Sequence, residues 1–123
     1  MYTAELDKSK RLLKIIYAQR VEPEEVKRCA EELPALLSEL EPGFRLLTDF
    51  SGLESMDLAC APQIARLMDL CNERGIEMVM RVITDPHKDI GLNIMSLFHY
   101  GRGVRIVTCD TLEEAMKVLA GDR

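Results

Sequence analysis

The sequence has no tryptophan, and only three tyrosines and three phenylalanines among its 123 residues. An interior built from it has to be aliphatic: Leu, Ile, Val, Ala and the seven methionines. No stretch approaches the ~20 apolar residues that a membrane span requires. The start, Met1-Tyr2-Thr3-Ala4-Glu5, has neither the basic opening nor the apolar run of a signal peptide, so the expected location is the cytoplasm. Positive charge is in deficit. Sixteen Lys and Arg face 21 Asp and Glu for a net charge of -5, which weighs against a nucleic-acid partner because phosphate binding wants a basic face.

Motifs that carry chemistry are also missing. No Cys-x-x-Cys pair occurs among Cys29, Cys60, Cys71 and Cys109. Cys60 and Cys71 are expected on one helix, roughly 16 Å apart at helical rise, too far for a disulfide or a shared metal ion. The four are read as reduced core thiols. Glycines are scattered, and Gly101-Arg102-Gly103 follows a helix rather than a strand, the wrong context for a dinucleotide loop. No Gly-x-Ser-x-Gly elbow is present. His87 sits in the polar segment Asp85-Pro86-His87-Lys88-Asp89, and His99 near a helix end; neither has metal spacing to a cysteine or carboxylate. Glu22, Glu24 and Glu25 are explained by the preference for acids at a helix start. The basic cluster Lys8, Lys10, Arg11 and Lys14 reads as a solvated turn. No catalytic residue, cofactor or metal is expected; an unrecognised use of Asp85, His87 and Asp89 is the one enzymatic route left.

What is present is an alternation of strands and helices within a length that fits one domain. Residues 2–8 and 11–18 read as a β-hairpin. Pro23-Glu24-Glu25 opens a helix, and Val26, Cys29, Ala30, Leu33, Leu37 and Leu40 form its apolar stripe. Pro34, inside that stripe, predicts a kink or break, and Pro42-Gly43 ends the segment. Phe44 to Phe50 reads as a buried strand, residues 51–57 as a loop, and Leu58 to about Arg74 as a helix stopped by Gly75. Ile76 to Ile83 is a strand. Residues 87–99 form a helix whose inner face is expected to be Ile90, Ile94, Leu97 and Phe98. Val104 to Val107 is a short strand, and Thr111 with Glu114 predicts a capping box for a last helix over 112–120. The order β-β-α-β-α-β-α-β-α implies an α/β fold: a mixed, mainly parallel β-sheet with helical crossovers and an N-terminal β-hairpin edge.

The segment with the strongest claim to function runs from Asp49 to Cys60. It leaves the carboxyl end of a central strand and enters a helix start, where ligands and modifications of open α/β sheets gather. Here the chain resembles the STAS domain of sulfate transporters and bacterial anti-sigma factor antagonists. The strand ends Asp49-Phe50-Ser51, a short loop leads to Asp57, and Gly75-Ile76-Glu77-Met78 looks like the family's next strand entry. Pro86, a glycine-bounded short strand and Glu113-Glu114-Ala115 continue the likeness over about residues 10–120. The first third is also similar to a STAS-related group of small uncharacterised bacterial proteins.

The resemblance implies a non-enzymatic protein-interaction module for signalling regulation. Its partner would be an anti-sigma factor or kinase-like regulator, met through Ser51, Gly52, Ser55, Asp57, Leu58 and Ala59; a homodimer is left open. It also carries a departure. The family's Asp-Ser-Ser-Gly motif, whose second serine takes the phosphate, reads Asp57-Leu58-Ala59-Cys60, and Ala59 has no hydroxyl. A second register puts Ser51 in the acceptor place but leaves the following helix about eight residues too long, and Ser55 is a third choice. The alternative function is a small-ligand or lipid-binding protein of the same fold, with Met68, Met95, Leu97 and Phe98 opening a pocket in a deformable, Met-rich interior.

Overall fold

The computed structural model describes residues 1–85 and 89–121, and for Asp89 and Ile90 the backbone alone. Strands β1 (Tyr2–Asp7) and β2 (Leu12–Tyr17) form the hairpin, in antiparallel register from Tyr2 opposite Tyr17 to Asp7 opposite Leu12. Their connection is a 3-10 turn over Lys8–Lys10. Asp7 caps it by accepting the Lys10 N–H at 3.2 Å, and Arg11 closes it in the left-handed region at φ 53°. Strands β4 (Arg45–Asp49), β6 (Met78–Val82) and β7 (Arg105–Cys109) continue the sheet in the order β1-β2-β4-β6-β7, parallel from β2 onward. The mainly parallel sheet with a hairpin edge is therefore as the alternation of elements implied.

The two faces of the sheet are buried against different helices. Leu13, Ile15, Tyr17, Leu46 and Val79 pack with α1 (Pro23–Leu37) and α2 (Ala61–Glu73). Leu12, Leu47, Met78, Met80 and Val82 pack with Ala115 and Leu119 of α4 (Leu112–Gly121). This is why β6 is buried at every position, the mark of a strand covered on both sides. The return from α2 to β6 turns at Gly75, φ 86°, where an added Cβ would lie 2.9 Å from the Pro42 ring.

Several expectations are corrected. Helix α1 does not break at Pro34; it runs on to Leu37, and Leu40 is buried beyond its end. The proline lacks one N–H, but Leu33 and Leu37 on either side are both buried, and that packing outweighs one lost bond. The turn before α4 is half a capping box. The Glu114 N–H donates to Thr111 Oγ1 at 3.1 Å, whereas the Glu114 carboxylate accepts from Asp110 N–H, one residue further back. The stretch 51–57 is not wholly loop, because Leu53–Met56 is a strand, β5, that pairs in parallel with a short strand β3 (Gln19–Val21).

The largest correction concerns α3 (Asp89–His99). Its expected inner residues face solvent: Ile94 is 53% exposed, and Leu97 and Phe98 are each 81% exposed; the Ile90 side chain lies outside the described residues. The cause is Arg81, the fourth of the five residues of β6 and 2% exposed. A buried guanidinium must be hydrogen-bonded, and α3 supplies Ser96 and Asn93 for it. The helix is thereby rotated so that Ser96, with Leu92 and Met95 beside it, faces inward.

Candidate functional site

The candidate segment begins at the carboxyl end of β4. Asp49 is buried, and its Oδ1 accepts the Ser51 N–H at 2.9 Å, which turns the chain sharply after Phe50. Phe50 stacks on Tyr17 with ring centroids 5.6 Å apart, and its N–H donates to the Val82 carbonyl at 2.8 Å. Ser51 and Gly52 form the exposed tip. The Gly52 carbonyl then accepts the Gln19 N–H at 2.8 Å, so that β5 starts in register with β3. Gln19 takes φ 59° and the pairing shifts between Gln19 and Arg20, a bulge that turns β3 off the main sheet. The segment is thus pinned at both ends.

Asp57 ends β5 and starts the helix. Its Oδ1 accepts the Ala59 N–H at 2.8 Å, a helix-start cap that sets a 3-10 turn over Leu58–Cys60 before α2 begins at Ala61. Leu58 is left 92% exposed. Ala59 is also exposed, while Cys60 turns inward, its thiol 3.7 Å from the Val21 carbonyl. Burial raises the Cys60 thiol above its usual titration range, and the Asp57 carboxylate adds to the effect. That is the opposite of an activated nucleophile.

Between this segment and α3 lies an open groove of about 420 Å³. Phe50, Leu53, Met56, Ile64, Ile83, Leu92 and Met95 make most of its lining, with Ser55, Asp57 and Leu58 on the near lip and Gly91 across from them. Of the residues singled out in the sequence, the structure brings Ser55, Asp57 and Leu58 together here; Ser51, Gly52 and Ala59 lie outside the lining. The pocket expected around Met68, Met95, Leu97 and Phe98 is corrected: Met95 lines the groove, Met68 is core, and Leu97 and Phe98 point to solvent. Sequence reasoning missed Leu92 and Gly91 because it placed the wrong face of α3 inward. The signal was the arginine inside the apolar run Met78–Val82.

The other candidates resolve individually. His99 Nδ1 is 2.7 Å from Asp69 Oδ1 and ties α3 to α2. Glu25 accepts the Glu22 N–H at 3.1 Å, as a helix-start acid does. Asp85 is half-buried, while His87 and its neighbours Pro86 and Lys88 lie outside the described residues, as does the Asp89 side chain. All four cysteines are buried free thiols. Among the described residues no group of three His, Cys, Asp or Glu is placed to hold a metal ion, and no helix is long and apolar enough to cross a membrane.

This architecture is STAS-like. No protein-family model matches the chain, and no curated protein matches it by sequence. Solved structures do match. A protein of the DUF3478 family with a SpoIIAA-like fold, from Shewanella loihica PV-4, is 14% identical and covers 96% of this chain and 93% of its own, at a TM-score of 0.73. The anti-sigma factor antagonist SpoIIAA in its unphosphorylated form is 14% identical over 98% of this chain and 99% of its own, at 0.63. An anti-sigma factor antagonist from Mycobacterium paratuberculosis is 13% identical over 98% and 95%, at 0.57. At these identities the likeness establishes the fold.

Proposed function

We propose that residues 1–123 form one STAS-like domain, a non-enzymatic, cytoplasmic protein-interaction module of the bacterial anti-sigma factor antagonist type. It docks a partner through the Ser51–Asp57 segment, the start of α2 and the outward face of α3. The observation that carries this reading is the set of large apolar side chains turned to solvent there: Leu58, Ile94, Leu97 and Phe98. Ile94, Leu97 and Phe98 recur at helical spacing along α3, and exposed apolar residues grouped in this way mark interaction surfaces. Two structural neighbours are named as anti-sigma factor antagonists, which supports an anti-sigma factor or kinase-like regulator as partner. Glu54 and Asp57 on the edge of the surface suit a partner whose apolar contacts are ringed by cations.

The interaction is constitutive in this reading. A phosphate at a helix start resets a docking surface by adding charge, and Ala59 offers no acceptor. The test is in-cell crosslinking in the native host, comparing the wild-type chain with Leu58→Asp and Phe98→Asp. A protein partner crosslinked by the wild type and lost in both variants is expected. Identical crosslinks from all three chains, or only the chain's own dimer, would remove the reading.

The groove of about 420 Å³ supports the second reading, a small apolar ligand or lipid held between β5 and α3. Native mass spectrometry separates the two: a retained species of a few hundred daltons, lost in a Leu92→Asp variant, belongs to the ligand reading alone.

A further inference from the structure

The opposite end of the sheet carries a recess that the docking surface does not use. It has a volume of about 520 Å³, and its walls are the β1–β2 turn, the start of β4 and the last turn of α4. Lys10, Arg11 and Arg45 line it against a single carboxylate, Glu77. This concentration of positive charge runs against a chain whose net charge is -5.

The two arginines are fixed in place, but by neutral groups. Arg45 Nη1 donates to the Leu119 carbonyl at 2.9 Å and Nη2 to the Lys10 carbonyl at 2.8 Å. Arg11 Nη2 donates to the Pro42 carbonyl. Its guanidinium lies over Gly43, where a Cβ would come within 2.8 Å of that nitrogen. The ion pairs among the described residues include none of the three cations and not Glu77. A carbonyl orients a guanidinium without cancelling its charge, and a guanidinium has more donors than these carbonyls take up. The negative end of α4 also faces the recess, but its Leu119 carbonyl is the one Arg45 occupies; the Asp7 carboxylate next to Lys10 offsets part of that lysine's charge, and Arg11 is left in excess. Leu12 and Met116 add an apolar wall.

We infer that this recess binds a small organic phosphate, its phosphoryl group held by Arg11, Arg45 and Lys10 and its apolar body laid against Leu12 and Met116. Pre-oriented guanidinium groups match phosphate oxygens in pairs, and lysine adds a point charge. The carboxylate in the wall suits one phosphoryl group rather than a polyanion. The site stands apart from the docking surface, because it lies where β2 and β4 begin, whereas the docking segment follows the end of β4.

The test titrates the isotope-labelled full chain with phenyl phosphate, and separately with inorganic phosphate, following backbone amide shifts. Saturable shifts at Lys10, Gly43 and Ala120 are expected, with phenyl phosphate the tighter of the two. Lys10→Ala and Arg11→Ala should each weaken it about tenfold, the scale of one charged contact, while Lys27→Ala on α1 leaves it unchanged. Lys10→Ala removes none of the hydrogen bonds that hold the recess, so its amide spectrum reports a folded chain. Shifts that fail to saturate, shifts centred elsewhere, or wild-type affinity in both recess variants would overturn the site. Inorganic phosphate binding as tightly as the ester would overturn the apolar wall's role.

Discussion

Arg81 on β6 donates to the Ser96 hydroxyl of α3 through both terminal nitrogens, at 3.1 and 3.0 Å. Ser96 in turn donates to the Leu92 carbonyl at 2.8 Å, and Asn93 accepts from Arg81 at 3.0 Å. A single buried cation thus decides which side of α3 meets the sheet. The exposed apolar face is the consequence of that choice.

Ser96→Ala should cost about 1–3 kcal/mol, the penalty for leaving a buried charged donor short of a partner. Urea unfolding measures it. The same substitution at exposed Ser51 should lie within about 0.5 kcal/mol of wild type, and equal costs at the two positions would contradict the buried contact.

Phe98→Asp should leave stability within about 0.5 kcal/mol, because the ring is at the surface. Leu33→Ala, at a fully buried position on α1, should cost about 2–5 kcal/mol. Thermal unfolding of the pair checks the orientation of α3 directly: a Phe98 variant as damaged as the Leu33 variant would place that ring inside.

Incubation with the host's kinases should leave the intact mass of the wild-type chain unchanged, while Ala59→Ser should gain one phosphate at the restored hydroxyl. A phosphate mapped to Ser51 or Ser55 of the wild type would restore a switch to this segment.

Burial pushes the Cys71 thiol up to about 12 and the Cys29 thiol to about 11, from the ordinary 9.0. Each holds its proton more tightly folded than unfolded. The stability linked to them is therefore whole below the unfolded value and is lost as pH rises through the folded ones. The urea midpoint should fall between about pH 8 and about pH 10.5, and fall less in Cys71→Ala. A midpoint flat over that interval would contradict the shift.

Gly75→Ala should cost about 1–2 kcal/mol, the scale of the left-handed penalty for a residue with a Cβ. The added methyl also meets Pro42. Gly103→Ala, with nothing near its added Cβ, is the control in the same denaturation series.

The parallel sheet was legible because its strands are buried apolar runs, Phe44 to Phe50 and Ile76 to Ile83, each followed by a glycine- or proline-marked break. Strands β3 and β5 were not. They are three and four residues long, they carry Gln19, Arg20, Glu54 and Ser55, and their pairing joins residues over thirty positions apart, which no local pattern encodes. At the candidate site, Asp57 at the helix start could be read from residue type alone. The groove beside it could not, since its far wall depends on how α3 is turned, and that was set by one arginine on a neighbouring strand.

The bond from Gln19 to Gly52 and the β3–β5 pairing hold the candidate segment through main-chain atoms, which every amino acid possesses. Side chains at Glu54 and Ser55 can therefore change without loosening the frame beneath them. A surface supported in this way is easily rewritten: one scaffold can acquire new specificities by drift at a few outward positions, while the folding information stays in the strands and helices behind.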